Sequence, residues 1–209
     1  MYHITIMKIT RVTVFAAALC AALALGCAKA PKNADAARAG PIVCLGDSVT
    51  AGLGVEPAQA YPSLLAALTG RRIVNAGVSG DTTADALERL DRDVLALRPG
   101  LVIIELGGND YLKQLPLAQT GANMSEIIRK VQAAGAMAAV VDPGGTLLLR
   151  NYSAAFKEIA AEHNAFFFRH LLGNVLAKPS LKTDQVHPNA EGHKKLAGGL
   201  YDGLKRHLK

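Results

Sequence analysis

The chain has 209 residues, of which half are apolar and 19% are charged, so it can form a domain with a sizeable core and is not a disordered chain. Its formal net charge is +6, but aromatic residues make up only 5% and the basic residues are scattered, whereas nucleic-acid-binding proteins concentrate both on one face. Three cysteines without a Cys-x-x-Cys pair support neither a disulfide framework nor a structural zinc site. We therefore expect no nucleic-acid partner and no metal.

The first 40 residues differ in composition from the rest and are typical of an export signal. Two basic residues precede the apolar run 12–25, and Gly26-Cys27 follows it. The run is short for a helix that spans a bilayer, which needs about 20 residues. A basic region that is followed by an apolar region and then by small residues predicts a cleaved signal peptide. The predicted organisation is a signal peptide at 1–26, a flexible tether at 27–40 and one domain at 41–209.

The end of this segment, LALGC (23–27), resembles a bacterial lipoprotein box, in which the cysteine is lipidated and becomes the new N-terminus. Ala24 departs from that pattern, because leucine is usual at this position. Two alternatives stay open: an ordinary cleaved signal, and an uncleaved anchor in which Cys27 is a small apolar residue. The lipoprotein interpretation predicts an exported protein of the cell envelope, anchored in a membrane through Cys27 and facing the periplasm. It leaves Cys44 without a partner, as a buried free thiol.

From Pro41 onward, short apolar runs alternate with amphipathic stretches. This alternation predicts an α/β fold, with a parallel sheet of five strands covered by helices on both faces. The predicted elements, in chain order, are a strand at 42–45, a helix at 59–68, a strand at 72–75, a helix from 81 or 82 to 97, a strand at 101–106, a helix from 120 or 123 to 134, a strand at 136–141, a helix at 152–163, a strand at 165–168 and a helix at 190–207.

The loops that follow the strands contain the candidate chemistry, because ligands of such sheets bind beyond the carboxyl ends of the strands. Ser48 follows the first strand, Gly77 with its unobstructed N–H follows the second, and Asn109 with its amide donor follows the third. Asp184 and His187 are three residues apart, which lets one turn present both. A serine nucleophile needs a base such as histidine, a group that holds the base, and donors to the oxyanion. These residues supply all the parts.

Four blocks, GDSVTAG (46–52), NAGVSGDTT (75–83), ELGGND (105–110) and DQVHPNAEGH (184–193), resemble in order and spacing those of the SGNH, or GDSL, hydrolases. Within that family they are most similar to thioesterase I, lysophospholipases and arylesterases. The resemblance implies a three-layer α/β/α, flavodoxin-like fold and a serine esterase that requires no cofactor. It implies Ser48 as nucleophile, His187 as base and Asp184 as third triad member. The implied oxyanion donors are the backbone N–H groups of Ser48 and Gly77 and the side chain of Asn109.

Substrate choice is expected to depend on the strand-end loops, with Tyr111, Leu112, Asp142 and Leu147 as candidates for the cleft. The tyrosine offers a ring with a polar tip, and the leucines could cover an acyl chain. Asp142 either faces the cleft and repels anionic leaving groups such as CoA, or only caps its own turn. We expect acyl ester substrates, in particular lysophospholipids or other lipid or aryl esters. The alternatives are a carbohydrate O-acetylesterase and a non-catalytic envelope lipoprotein that binds a lipid or glycan.

Overall fold

The computed structural model describes residues 30–144 and 149–209. Within these residues, the structure has five strands: β1 (Ile42–Gly46), β2 (Ile73–Gly77), β3 (Leu101–Glu105), β4 (Met137–Val141) and β5 (Phe166–Phe168). They form one parallel sheet, as the alternating pattern predicts, and their order in the sheet is β2-β1-β3-β4-β5.

Helices connect the strands and cover both faces of the sheet. The α-helices are α1 (Ser48–Ala51), α2 (Tyr61–Thr69), α3 (Thr83–Asp93), α4 (Gly108–Leu112), α5 (Leu117–Ala133), α6 (Arg150–Glu162), α7 (Leu171–Leu176) and α8 (Ala190–Leu204). Short 3-10 helices lie at Ala34–Arg38, Pro57–Gln59, Leu95–Leu97 and Pro179–Leu181. The short helices α1, α4 and α7 have no counterpart among the predicted elements.

The core lies on both sides of the sheet, because successive side chains of a strand point to opposite faces. Every residue of β1, β3 and β4 is buried, which explains the nearly continuous apolar runs of these strands. One face, which includes Cys44, packs against α2, α7 and α8, and the other, which includes Leu45, packs against α3, α5 and α6. Cys44 is a buried free thiol, as expected, and its burial raises its pKa to about 12.

The start of α3 agrees with one of its two predicted caps, whereas α5 begins earlier than predicted. Thr82 begins α3 through a capping box: its side chain accepts the N–H of Asp85, whose carboxylate accepts the N–H of Thr82. Asp81, the other predicted cap, is instead paired with Arg89, 2.6 Å from the guanidinium Nε. Pro116 precedes α5 and lets it begin at Leu117, earlier than predicted.

The segment predicted as a flexible tether, 27–40, is packed over its described part. A 3-10 helix at Ala34–Arg38 follows Asn33, whose Nδ2 donates to the carbonyls of Gln132 (2.9 Å) and Ala136 (3.0 Å). These carbonyls lie where α5 ends and β4 is about to begin, so Asn33 joins its segment to both elements. The tether prediction is wrong here, and the compact domain begins about ten residues earlier than predicted.

We refer to residues 31–40 as the N-terminal clamp, and its contacts lie at the amino ends of the strands. The Arg71 guanidinium, just before β2, donates to the carbonyls of Ala37 (3.1 Å) and Gly40 (2.8 Å). Just before β3, Gly100 lies so close to the Ala39 carbonyl that a Cβ at this position would overlap it. The clamp therefore occupies the edge of the sheet opposite to the strand-end loops.

Replacing Asn33 by alanine should lower the free energy of unfolding by about 1–3 kcal/mol, because two hydrogen bonds are lost. Alanine also tolerates the left-handed φ of 59° at this position less well than asparagine does. Chemical denaturation checks this, with Asp35→Ala as the control, since Asp35 forms only an exposed ion pair with Arg38. An unchanged stability of Asn33→Ala would show that the clamp does not stabilise the domain.

The predicted signal peptide at 1–26 and the predicted lipidation site Cys27 lie outside the described residues. Among the helices that the structure describes, none combines the length and apolarity needed to cross a membrane. Export and lipid attachment therefore stay predictions.

Candidate active site

Ser48, His187 and Asp184 meet at the carboxyl edge of the sheet. Ser48 is the first residue of α1, immediately beyond β1, and its Oγ lies 2.9 Å from Nε2 of His187. The other ring nitrogen of His187, Nδ1, lies 2.7 Å from Oδ2 of Asp184. The structure thus joins three residues that are separated by up to 139 positions in the arrangement of a nucleophile, a base and an orienting acid.

A tight turn fixes the acid against the imidazole. Oδ1 of Asp184 accepts the backbone N–H groups of Val186 (2.8 Å) and His187 (2.9 Å), which leaves Oδ2 for the ring. The hydrogen bond to His187, and next the Val186 N–H, lower the pKa of Asp184 to about 2. An ionised Asp184 keeps the proton on Nδ1, so the Nε2 lone pair is directed to the Ser48 hydroxyl.

Backbone pairing holds this turn on the domain. Lys182 and Pro188 form an antiparallel bridge, and the Thr183 N–H donates to the His187 carbonyl at 2.9 Å. Immediately after it, the Asn189 side chain caps α8. The histidine is therefore attached to the first turn of a long packed helix, although it lies in a loop.

Asn109 connects two of the strand-end loops. It lies in α4, directly after β3, and its Nδ2 donates to Oδ2 of Asp47 (3.1 Å) and to the Asp81 carbonyl (2.9 Å). Asp47 is the residue before Ser48, so the amide lies beside the serine turn, as predicted. Both amide hydrogens have acceptors in the free protein, and an incoming anion must share one of them.

Gly77 does not offer the open N–H that the sequence suggests. This N–H donates to the Oδ1 of Asn75 at 2.9 Å. The residue is a glycine for a different reason: a Cβ would overlap the backbone nitrogen of Ala51 in α1. Gly77 allows α1 to pack on β2, and its N–H is engaged by the Asn75 side chain, so its role as an oxyanion donor stays a prediction.

Gly80, which the sequence analysis did not single out, has the property expected of Gly77. It lies in a turn closed by the Asp81 N–H to the Val78 carbonyl (3.2 Å), with a φ of +89° and open space on its Cβ side. Among the described residues, none accepts its N–H. The backbone carbonyl of the following residue, Asp81, accepts a hydrogen bond from the Asn109 side chain. The Ser-Gly-Asp tripeptide was the available signal, since glycine is favoured where a turn requires positive φ.

Four exposed hydrophobic side chains belong to the segments that carry the candidate site, and we call them the apolar rim: Leu53, Val78, Leu112 and Val186. Leu112 is the last residue of α4, and the other three lie in loops or turns. The Leu53 N–H donates to the Ser48 carbonyl, and Val186 belongs to the Asp184 turn. The exposed fractions of the four residues range from 38% to 58%, and among the described residues only Leu68 joins them as an exposed large hydrophobic residue. An exposed apolar cluster at a site indicates contact with an apolar ligand.

The predicted cleft residues have different environments. Leu112 belongs to the apolar rim, and Tyr111 packs its ring edge-on against Tyr152 at 5.9 Å between centroids. Asp142 is fully buried, and its carboxylate accepts the Ser153 hydroxyl (2.8 Å) and the His170 N–H (3.0 Å). The suggestion that Asp142 faces the cleft is therefore wrong, because a buried carboxylate is held by internal donors. The remaining candidate, Leu147, lies outside the described residues.

His193 is a buried structural residue. Its Nδ1 accepts the Tyr61 N–H at 3.2 Å, its ring stacks on Tyr61, and burial lowers its pKa to about 4. Within residues 30–144 and 149–209, no group of three or more histidine, cysteine or acidic side chains is placed to hold a metal ion.

Comparison with known proteins agrees with this geometry. Residues 44–195 match the GDSL-like Lipase/Acylhydrolase family. Esterase TesA of Pseudomonas aeruginosa is 30% identical over 198 residues, covering 88% of this chain and 98% of that protein. Thioesterase 1/protease 1/lysophospholipase L1 of Escherichia coli is 31% identical over 178 residues, covering 81% and 86%.

Further similarities concern the fold and a different substrate. The solved structure of esterase EstA from Pseudoalteromonas superposes with a TM-score of 0.73 at 28% identity, covering 81% of this chain and 99% of that one. An acetylxylan esterase of Geobacillus stearothermophilus is 30% identical over 162 residues, covering 66% and 71%. Together with the sheet order and the strand-end site, these matches establish that the chain belongs to the GDSL-like lipase/acylhydrolase family and is an ester hydrolase.

Proposed function

We propose that the protein hydrolyses acyl esters through a Ser48–His187–Asp184 triad and an acyl-serine intermediate. The Ser48 Oγ attacks the ester carbonyl carbon while His187 Nε2 takes the hydroxyl proton. His187 then gives this proton to the leaving alcohol as the tetrahedral intermediate collapses. Water attacks the acyl-serine with His187 again as the base, which releases the acid and restores Ser48. The observation that carries this proposal is the unbroken chain of contacts from Ser48 Oγ to the Asp184 carboxylate.

The oxyanion of this intermediate requires preorganised donors near Ser48. We assign them to the Ser48 N–H, one Nδ2 hydrogen of Asn109 and the N–H of Gly80, in place of Gly77. Asn109 lies between the Ser48 turn and the Asp81 carbonyl, one residue after Gly80, so these donors can converge on one oxygen.

The apolar rim supports acyl or aryl esters as substrates, such as lysophospholipids, because part of such a substrate is apolar. Each buried CH₂ gains about 0.8 kcal/mol. The similarity to thioesterase 1/lysophospholipase L1 points in the same direction. A carbohydrate O-acetylesterase is the second candidate, supported by the similarity to an acetylxylan esterase.

We also propose that the protein acts in the cell envelope, anchored through a lipid on Cys27. The basic, apolar and small-residue order of its first 27 residues supports this proposal. An extracytoplasmic enzyme would not meet acyl-CoA, which leaves lipid and aryl esters as the natural substrates. Metabolic labelling with a fatty-acid probe tests the anchor, and Cys27→Ser should abolish the label.

A fluorophosphonate probe and a substrate panel test the proposed function. Wild-type protein should react covalently with the probe, and kcat/KM on p-nitrophenyl esters should rise from the acetyl ester to medium and long acyl chains. A lysophospholipid should be hydrolysed as well. Strict preference for acetyl groups with activity on acetylated sugars would replace the first candidate by the second. Absence of probe labelling would favour the non-catalytic binding protein.

A further inference from the structure

Two buried carboxyl groups lie next to each other beneath Ser48, and the triad mechanism uses neither. Asp47 precedes Ser48, and Glu105 ends the adjacent strand β3, opposite Gly46 in the parallel register. Each is only 4% exposed, and burial together with the charge of Asp47 raises the pKa of Glu105. Two carboxylates in a buried site cannot both ionise at low cost, so one of them holds a proton.

The donors around the pair indicate which of the two is ionised. Asp47 accepts the Val49 N–H (3.0 Å) and the Asn109 amide (3.1 Å), both of which stabilise a carboxylate. Glu105 accepts the Thr50 hydroxyl at 2.9 Å. Since that hydroxyl donates to Glu105, the Tyr61 hydroxyl, 2.9 Å from it, must donate to Thr50.

Two charged groups act on Asp47 in opposite directions. Asp81 repels the Asp47 carboxylate and His187 attracts it, while Arg89 is paired with Asp81. Burial is the main cause that raises the pKa of Asp47, to about 6. Burial, and then the charge of Asp47, raise the pKa of Glu105 well above its ordinary value. The proton therefore resides on Glu105.

We propose that Glu105 is a permanently protonated acid that donates a hydrogen bond to Asp47, and that it acts as a positioning residue for the oxyanion donor Asn109. Asp47 transmits the effect, because one of its oxygens accepts the Asn109 amide and the other holds the first turn of α1. With Glu105 in place, Asp47 is kept as an acceptor in one orientation. The kinetic part of this inference rests on the proposed esterase function, and the protonation part does not.

Glu105→Gln is the conservative variant, because its amide can donate to Asp47 and its carbonyl can accept from Thr50. Its kcat should stay within about threefold of wild type, whereas Glu105→Leu, which has no donor, should lose roughly 10- to 100-fold in kcat with a smaller change in KM. Glu126→Gln, at a half-buried carboxylate of α5 that is paired with Arg129, serves as the control. A Glu105→Gln variant that folds and loses kcat as strongly as Glu105→Leu would overturn the proposal.

A double-mutant cycle distinguishes positioning from general support of the fold. If Glu105 acts through Asn109, then Glu105→Leu should cost little further kcat in an Asn109→Ala background. Fully multiplicative losses would overturn the proposed route through Asn109. Thermal unfolding of each variant identifies losses that arise from unfolding.

Infrared spectroscopy provides a readout that does not depend on activity. Wild-type protein at neutral pH should show the C=O stretch of a protonated carboxylic acid, and this band should be missing in Glu105→Gln and present in Glu126→Gln. If Glu105→Gln and Glu126→Gln give the same spectrum in the region of this C=O band, the proposed protonation of Glu105 is overturned. If wild type shows no esterase activity, the proposed function fails while the infrared result still decides this inference. If Glu105→Leu does not fold, the infrared band and the kcat of Glu105→Gln decide this inference.

Discussion

Ser48→Ala and His187→Ala should each lower kcat by about 10⁴- to 10⁶-fold while the protein stays folded, because nucleophile and base act as one unit. Asp184→Asn should be milder, with a loss of about 10²- to 10⁴-fold, since the carboxylate orients and stabilises the imidazole without reacting. Steady-state kinetics on a p-nitrophenyl ester measure these losses, and circular dichroism shows whether each variant is folded. Wild-type turnover in a folded Ser48→Ala variant would refute the mechanism.

A second serine–histidine pair provides the matched control for this experiment. Ser125 Oγ lies 2.7 Å from Nε2 of His163, between α5 and α6. Within the described part of the chain, no carboxylate is bonded to the His163 ring, so the pair lacks the acid that would activate it. Ser125→Ala should leave kcat unchanged, which would show that a serine–histidine contact alone is not sufficient.

Asn109→Ala should lower kcat by about 10²- to 10³-fold, the equivalent of about 2.7–4 kcal/mol, because it removes one preorganised donor to the oxyanion. KM should change less, since the donor is needed most when negative charge develops on the carbonyl oxygen. A normal kcat with a raised KM would instead assign Asn109 to ground-state binding.

Asn109 also links Asp47 to Asp81, so the variant needs a control for lost stability. Asn123 is a buried asparagine whose Nδ2 donates to the Thr83 hydroxyl at 3.2 Å, outside the candidate site. Asn123→Ala should lower the free energy of unfolding by about 1–3 kcal/mol and leave kcat unchanged. A similar fall of kcat in both variants would indicate that Asn109→Ala acts through stability.

Local pattern was sufficient to predict the sheet, whereas the joining of Ser48 with His187 and Asp184 was implied by the resemblance of four motif blocks to a known family. Runs such as 101–106 are almost wholly apolar because both faces of the sheet are covered, and the carboxyl ends of parallel strands meet at one edge of the sheet. Helices of four to six residues such as α1, α4 and α7 were not predictable, since isolated helices of this length are unstable and form only through tertiary contacts.

Several of the contacts that sequence reasoning missed are long-range. Nothing near Asp142 in the sequence reveals that the N–H of His170, 28 residues away, will occupy its carboxylate. Gly77 ends β2 and Gly80 follows it three residues later, and the approach of α1 to Gly77 together with the Asn75 side chain separates their roles. The tether prediction for 27–40 failed similarly, because its polar composition hides the fit of Asn33 to two distant carbonyls.

The N-terminal clamp also determines how the domain transmits force. A pull on the chain before residue 31 reaches the domain at the amino ends of the strands, where Asn33 and Arg71 hold the clamp. The Ser48 loop lies at the other edge, beyond the five residues of β1, about 17 Å away along the strand. The candidate site therefore lies at the edge opposite to the one on which such a pull acts.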